Sequence, residues 1–223
     1  MQIAIDGPVA AGKGTVAYLL AKKLGILYVD TGATYRATAY AAIAEGISLE
    51  DEEKIVALLK NTKIDLKIPS LNSKFRCLVF VNGKDVSKEI RTPEISKASS
   101  KVAILPKVRK YLVSFQKKLA ENQGVVMEGR DITTRVLEKA DLKIFLTADP
   151  KARAERRRAQ LEEQGIKKSF EEVLKDTIAR DTQDSTRKTD PLKITNDSFI
   201  LDTTKLTISQ VVKKILEKLT LND

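Results

Sequence analysis

Short apolar runs alternate along this chain with longer stretches whose apolar residues return every three or four positions. The first pattern predicts buried strands and the second amphipathic helices. Residues 3–6 read as a strand, and a glycine-rich turn leads into a helix over 13–24 that Gly25 stops. A second strand over 27–30 precedes a helix over 34–45. Ser48, with Asp51 three residues on, has the spacing of a capping box opening another helix.

The pattern then changes. Residues 63–68 alternate charged and apolar side chains, and 75–81 are rich in strand formers. Asn82-Gly83 follows, a pair suited to the positive φ angles of a tight hairpin. Residues 63–90 therefore read as a small antiparallel insert. Beyond it, Thr92-Pro93-Glu94 opens a helix with Thr as N-cap and Pro in the first turn, and a second helix starts at Pro106. Strands follow at 125–127, 142–146 and 199–201. Helices are expected over 150–164, after Ser169 with Glu172 as capping partner, and over 208–219. Short apolar strands separated by helices imply an α/β fold whose parallel sheet is covered on both faces.

Composition narrows the chemistry. The 223 residues are 42% hydrophobic and 31% charged, which fits one soluble α/β domain with insertions. No apolar run approaches the roughly 20 residues needed to cross a bilayer, and the first residues lack the pattern of a secretory signal. The single cysteine, Cys77, excludes an internal disulfide, reads as a small core residue, and suits a reducing cytoplasm. There is no histidine, which removes His metal sites, His general bases and Ser-His-Asp triads. The net charge of +10 admits polyanionic partners and equally a lysine-rich surface serving solubility.

The clearest chemical signal is Gly7-Pro8-Val9-Ala10-Ala11-Gly12-Lys13-Gly14-Thr15, placed between a strand and a helix. Small residues let the backbone wrap a phosphate, with successive N–H groups and the helix N-terminus aimed at it. Lys13 adds a mobile cation for the β- and γ-phosphates. Gly14 stands where the general motif has Ser or Thr, so the ligands of a Mg²⁺ ion stay open. GKGT of this kind resembles nucleoside-monophosphate kinases.

An acceptor must be held elsewhere. Asp30-Thr31-Gly32-Ala33-Thr34-Tyr35-Arg36 falls at the end of the second strand, and Gly129-Arg130-Asp131 at the end of another. Ligands of open α/β sheets bind at that edge. Arg36 can grip a phosphate through two N–H groups, although alone it reads equally as a surface arginine. Arg130 beside Asp131 reads as a ligand pair or a local ion pair. Ser100 and Arg109 lie on the helical stretch after the insert, where they suit a pyrimidine edge or simply a polar helix face. Arg153, Arg156 and Arg157 share one helix face, which suits a polyphosphate or a basic surface. Arg180, Asp184 and Arg187 lie on one face if their helix continues.

Taken together, IDGPVAAGKGT, YVDTGATYR, EIRTPEIS, GRDITT, the arginine-rich helix and RDTQDSTR resemble the bacterial-type cytidylate kinases, in the family's order and over nearly the whole chain. The resemblance implies a five-stranded parallel sheet in a P-loop kinase core over 1–62 and 91–223, a mobile lid at about 150–168 and the β insert over 63–90 in the acceptor region. It implies transfer of the γ-phosphoryl group of ATP, with Mg²⁺, to CMP or dCMP. The family pattern places Ser100, Arg109 and Asp131 around cytosine, and Arg180 and Asp184 at the sugar hydroxyls. Arg36, Arg130 and Arg187 are then at the acceptor phosphate, and Thr31 is a further CMP-binding residue. Residues 7–15 hold ATP with Arg153 and Arg157 from the lid, and Lys13, Arg130, Arg157 and Arg187 act on the transferring group. Thr133 stands where related sequences often have Gly, and Gln183 and Ser185 replace charged residues common there. The expected protein is a cytoplasmic monomer with no stable nucleic-acid partner. The competing readings are a P-loop kinase for UMP, AMP, shikimate or dephospho-coenzyme A, and a nucleic-acid-associated ATPase.

Overall fold

The computed structural model describes residues 1–69, 73 and 75–220. The expected insert at 63–90 therefore lies outside the described residues at 70–72 and 74, and the expected core at 221–223. In chain order the elements are β1 (Gln2–Asp6), α1 (Lys13–Leu24), β2 (Leu27–Asp30), α2 (Thr31–Ala44) and α3 (Glu52–Asn61). Then come β3 (Ile64–Lys67), β4 (Leu78–Val81), β5 (Lys84–Asp85), α4 (Pro93–Val102) and α5 (Pro106–Leu119). The chain continues through β6 (Val125–Gly129), β7 (Leu142–Thr147), α6 (Pro150–Glu162), α7 (Phe170–Thr186), β8 (Phe199–Asp202) and α8 (Ile208–Thr220).

Five strands form one sheet in the order β2-β6-β1-β7-β8, and every pairing is parallel. The strands are short and apolar because helices cover both faces. Ile3, Ile5, Val126, Met127, Ile144 and Leu146 are fully buried. Each such side chain contributes about 1.5–3 kcal/mol relative to exposure. The parallel arrangement brings the C-terminal ends of β1, β2 and β6 to one edge. The loop after β1, the start of α2 and the Gly129-Arg130-Asp131 turn emerge there.

A second sheet, β3-β4-β5, is antiparallel and turns at Asn82 (φ 50°) and Gly83 (φ 83°), as the sequence predicts. Its apolar face is no separate core: Val79, Val81 and Val86 join the same apolar cluster as Ile3 and Ile5. The α6–α7 hairpin, in contrast, encloses its own small cluster of Ala154, Leu161 and Val173, with Ile166, Phe170 and Leu174 around it.

Several boundaries differ from expectation for local reasons. The helix expected from 34 begins at Thr31, because the Asp30 carboxylate accepts from the Ala33 N–H and caps it early. Ser48 does not cap α3; Asp51 does, accepting from the Lys54 N–H, while the Ser48 hydroxyl accepts from the Glu50 N–H. The strand expected over 75–81 starts only at Leu78. The Arg91 guanidinium lies 4.7 Å from the Phe75 ring centre and donates to the Cys77 carbonyl, which holds 75–77 as an irregular arm. Cys77 is buried, as expected, but in that arm rather than in a strand. The arginine-rich helix ends at Glu162. The expected caps at Thr92, Ser169–Glu172 and Gly25 are all present.

Candidate active site

A cleft of about 530 Å³ opens along the C-terminal edge of the sheet. One end is the turn after β1. Gly7 is required there by space: with φ 150°, a Cβ would collide with the Leu146 carbonyl of β7. Val9, Ala10, Gly12, Lys13, Gly14 and Thr15 line the cleft, whereas Gly7, Pro8 and Ala11 form the turn's outer and buried side. Lys13, the first residue of α1, is 5% exposed and donates to the Pro8 carbonyl at 2.8 Å. Burial, and then the Arg130 charge, lower its ammonium to about 7. A lysine held this far below its ordinary range gains when anionic oxygens come within reach.

The other end is built by α2, α4, α5, the turn after β6 and α7. Arg36 projects from α2 and pairs with Asp30 at 2.7 Å. Thr31 donates to the Glu128 carbonyl at 2.7 Å, a close approach that leaves no room for a side chain at position 129. Arg130 pairs with Asp184 at 2.8 Å. Burial raises the Asp184 carboxyl, but the Arg130 and Arg180 charges outweigh it and hold the group below the usual range. Arg109 is buried, donates to Asp131, and stacks 5.5 Å from the Tyr35 ring centre. Ser100 lines the same wall and donates to the Ser96 carbonyl at 3.3 Å. Arg180 donates to the Ser96 hydroxyl at 3.0 Å. Burial, and then Arg130, push its guanidinium down to about 10, which leaves it charged at neutral pH.

Arg180 and Asp184 do share a face of α7, but the helix stops at Thr186 and Arg187 is its C-cap. The Arg187 side chain still turns into the cleft, 3.8 Å from both Asp131 and Asp184. Among the described residues, three buried side-chain atoms lack a hydrogen-bond partner: Tyr35 Oη, Arg36 Nε and Arg180 Nε. All three residues line this cleft. Buried polar groups are nearly always paired, so orphans gathered at one wall mark a polar ligand's place.

One expectation is corrected. Arg153, Arg156 and Arg157 do not converge. Arg153 is buried away from the cleft lining, paired with Asp181 at 2.5 Å and donating to the Ala148 and Val9 carbonyls. Arg156 turns to the far side and donates to the Thr203 carbonyl at 2.6 Å. Only Arg157 lines the cleft. Each residue of α6 is rotated by about 100° from the last, so neighbours at 156 and 157 diverge.

Other residues of the site carried no such signal. Glu128 lines the cleft, its carboxyl raised by burial and the nearby Asp30; it immediately precedes the Gly-Arg-Asp turn, which is the cue that could have found it. Arg76, Arg91 and Phe75 reach the cleft from the insert and its border. Asp6 is fully buried and accepts from the N–H groups of Ile132 and Thr133 and from the Thr133 hydroxyl. Thr133 thus fastens the turn to β1, which accounts for a side chain at that position.

The arrangement has a phosphate cradle at one end, and facing it a pocket of paired arginines and carboxylates. A model of the family described as cytidylate kinase matches residues 3–221. A protein named cytidylate kinase from Geobacillus sp. (strain WCH70) is 48% identical, over 97% of this chain and 95% of that one. Another of that name from Caldanaerobacter subterraneus subsp. tengcongensis is 47% identical, over 100% and 96%. A solved structure of an uncharacterized protein from Eubacterium ventriosum, 12% identical, superposes with a TM-score of 0.53 over 99% of this chain and 98% of that one, and shares the fold. By its sequence along nearly its whole length, this chain belongs to the cytidylate kinase family.

Proposed function

We propose that this protein transfers the γ-phosphoryl group of ATP to CMP or dCMP, yielding ADP and the nucleoside diphosphate. The observation that carries the acceptor half is the set of orphaned buried atoms on Tyr35, Arg36 and Arg180, all in residues that line the same cleft as the phosphate cradle. Cytosine presents an exocyclic amine beside ring acceptors. A carboxylate, a guanidinium and a hydroxyl, here Asp131, Arg109 and Ser100, complement that edge. Arg180 and Asp184 face the sugar. Arg36, Arg130 and Arg187, with Thr31 fastening the turn, hold the acceptor phosphate.

In the reaction an oxygen of the acceptor phosphate bonds to the γ-phosphorus as the bond to the β–γ bridging oxygen breaks. A monophosphate loses its second proton near pH ~6, so the attacking oxygen needs no general base. Charge spreads over the transferring oxygens, and catalysis is alignment plus electrostatic stabilisation. Lys13 exchanges its Pro8 carbonyl for the β- and γ-oxygens, while Arg130 and Arg187 aim the acceptor and Arg157 covers the transferring group. Arg153 acts from behind, holding α7 through Asp181 and the loop through Val9.

The oxygen donors beside the cradle are Thr15 and Glu128, whose carboxylate approaches Gly14, and both are hard ligands that suit Mg²⁺. Among the described residues no three His, Cys, Asp or Glu side chains converge as a metal site. Thr15 and Glu128 would hold a Mg²⁺ ion bound with ATP, which would supply charge neutralisation at the phosphates.

The working unit proposed here is a monomer acting on ATP and CMP or dCMP. No helix among the described residues is long and apolar enough to cross a membrane. A lone free thiol and the use of ATP fit the cytoplasm.

The test is ADP formation from ATP and Mg²⁺ with CMP, dCMP, UMP, AMP or GMP added singly. CMP and dCMP should give the strongest response, with little ADP when no acceptor is present. A stronger response to another monophosphate would overturn the roles of Ser100, Arg109 and Asp131. ADP release indifferent to acceptor would overturn the kinase itself.

A further inference from the structure

Asp190 lies behind the cleft wall rather than on it. Its backbone has φ 48°, in the left-handed region, and it precedes Pro191, which favours an extended neighbour. Such a conformation persists only where its surroundings over-determine it. Three guanidiniums do so. Arg109 donates through Nε to Oδ2 at 3.2 Å, Arg135 donates through Nε to Oδ1, and Arg187 donates through both Nε and Nη2 to the Asp190 carbonyl. The Leu192 N–H, bonded to the Asp184 carbonyl at 2.8 Å, closes the segment onto the end of α7.

The three arginines stand differently to the site. Arg109 and Arg187 line the cleft, while Arg135 does not and its side chain is 57% exposed. Arg109 also donates through Nη1 to the Ala103 carbonyl at 3.0 Å and through Nη2 to Asp131. With Asp190 on Nε, all three nitrogens of that guanidinium are fixed, and two of its five N–H groups are left for a ligand. Arg187 is buried close to Arg109, and its guanidinium is lowered first by burial and then by the Arg109 charge. The Asp131 carboxylate, bonded to Arg109 and 3.8 Å from Arg187, relieves that repulsion, while Asp190 holds Arg109 by its carboxylate and Arg187 by its carbonyl.

We propose that Asp190 is a positioning residue for acceptor recognition: by gripping Arg109 with its carboxylate and Arg187 with its carbonyl, it sets the separation between the guanidinium that reads the base and the one that holds the phosphate. This rests on the acceptor reading given above. Asp190 touches no substrate; it acts through two groups that do.

Two variants separate the carboxylate from the backbone. Asp190→Asn keeps the shape and tolerates φ > 0 but loses the charge, and Asp190→Gly keeps the backbone conformation with no side chain at all. Both should raise KM for CMP roughly tenfold or more, leave KM for ATP within about twofold, and lower the preference for CMP over UMP. Arg135→Gln, which frees one side of the carboxylate, should move the same constants in the same direction by less. The proposal is overturned if both Asp190 variants keep the wild-type KM for CMP and the wild-type selectivity. It is overturned equally if KM for ATP rises as much as KM for CMP, since that marks general loosening. If wild-type protein prefers another monophosphate, the acceptor reading alone fails, and KM for that monophosphate in the same variants decides Asp190.

Discussion

Lys13 shows how one buried charge is set for its ligand. With its ammonium lowered to about 7, the free protein holds it largely neutral at pH values above that. Phosphate oxygens favour the charged form, so the bound state holds more protons than the free state. ATP binding should therefore take up protons above neutral pH, and affinity should fall as pH rises through that range. Binding enthalpies in buffers of different ionisation enthalpy measure the uptake. A Lys13→Met variant should lose it along with most turnover while staying folded, and uptake equal to wild type in that variant would assign the proton elsewhere.

Asp6 makes a structural counterpart. Its carboxylate satisfies two N–H groups and a hydroxyl on Ile132 and Thr133, directly after the turn that carries Arg130 and Asp131. Each buried donor left unpaired costs about 1–3 kcal/mol, so Asp6→Ala should lower stability by several kcal/mol in denaturant titration. Thr133→Gly should lose only about 1 kcal/mol, because the two N–H bonds persist. A loss as large as that of Asp6→Ala would mean that the hydroxyl carries the anchor.

At this scale the sequence was readable where chemistry is local. The phosphate cradle, Arg36 and the Gly-Arg-Asp turn each sit at a strand's end, and all reach the cleft. Asp6 and Asp190 were not readable. The Asp6 carboxylate meets residues 126 and 127 positions away and the Asp190 carboxylate residues 81 and 55 away, and nothing in the flanking residues announces those contacts. The crowding of Arg153, Arg156 and Arg157 misled because spacing gives a helix face but not what that face meets.

Among the elements, the insert has more than a supporting role. Arg91 stacks on Phe75 and donates to the carbonyls of Cys77 and Ser87, so one guanidinium ties the irregular arm to the end of the small sheet. The arm then presents Phe75 and Arg76 to the cleft, with Arg76 Nη1 3.9 Å from where a Cβ on Gly14 would stand. Arg91→Ala should cost about 1–3 kcal/mol of stability and raise KM for CMP more than KM for ATP. Equal effects on both constants would show that the arm serves the cradle as much as the acceptor pocket. The antiparallel pairing was legible from alternation and from Asn82-Gly83. The arm was not, because residues 75–77 have strand composition and the distant Arg91 holds them out of the ladder.

The molecule as a whole is organised by the parallel sheet, whose carboxyl edge gathers donor and acceptor sites from segments far apart in sequence. The cleft between them is lined by Arg157 from α6 and by Arg180, Asp184 and Arg187 from α7 and its cap. Of these, Arg157 is the lid residue expected to close over the transferring group. Yet the apolar cluster beneath α6 and α7 is separate from the main core. A unit that carries its own small core can unravel by itself, as a cooperative segment of low local stability. Amide hydrogens of this hairpin should exchange with solvent faster than those of β1 and β6. Val173→Ala should accelerate them further and leave the sheet's protection unchanged. With Arg157 in its proposed role over the phosphates, saturating ATP should slow the hairpin's exchange selectively. Uniform change across the chain would show a single cooperative unit instead. If the hairpin does exchange alone, nucleotide would not only be gripped by these helices but would also complete their folding.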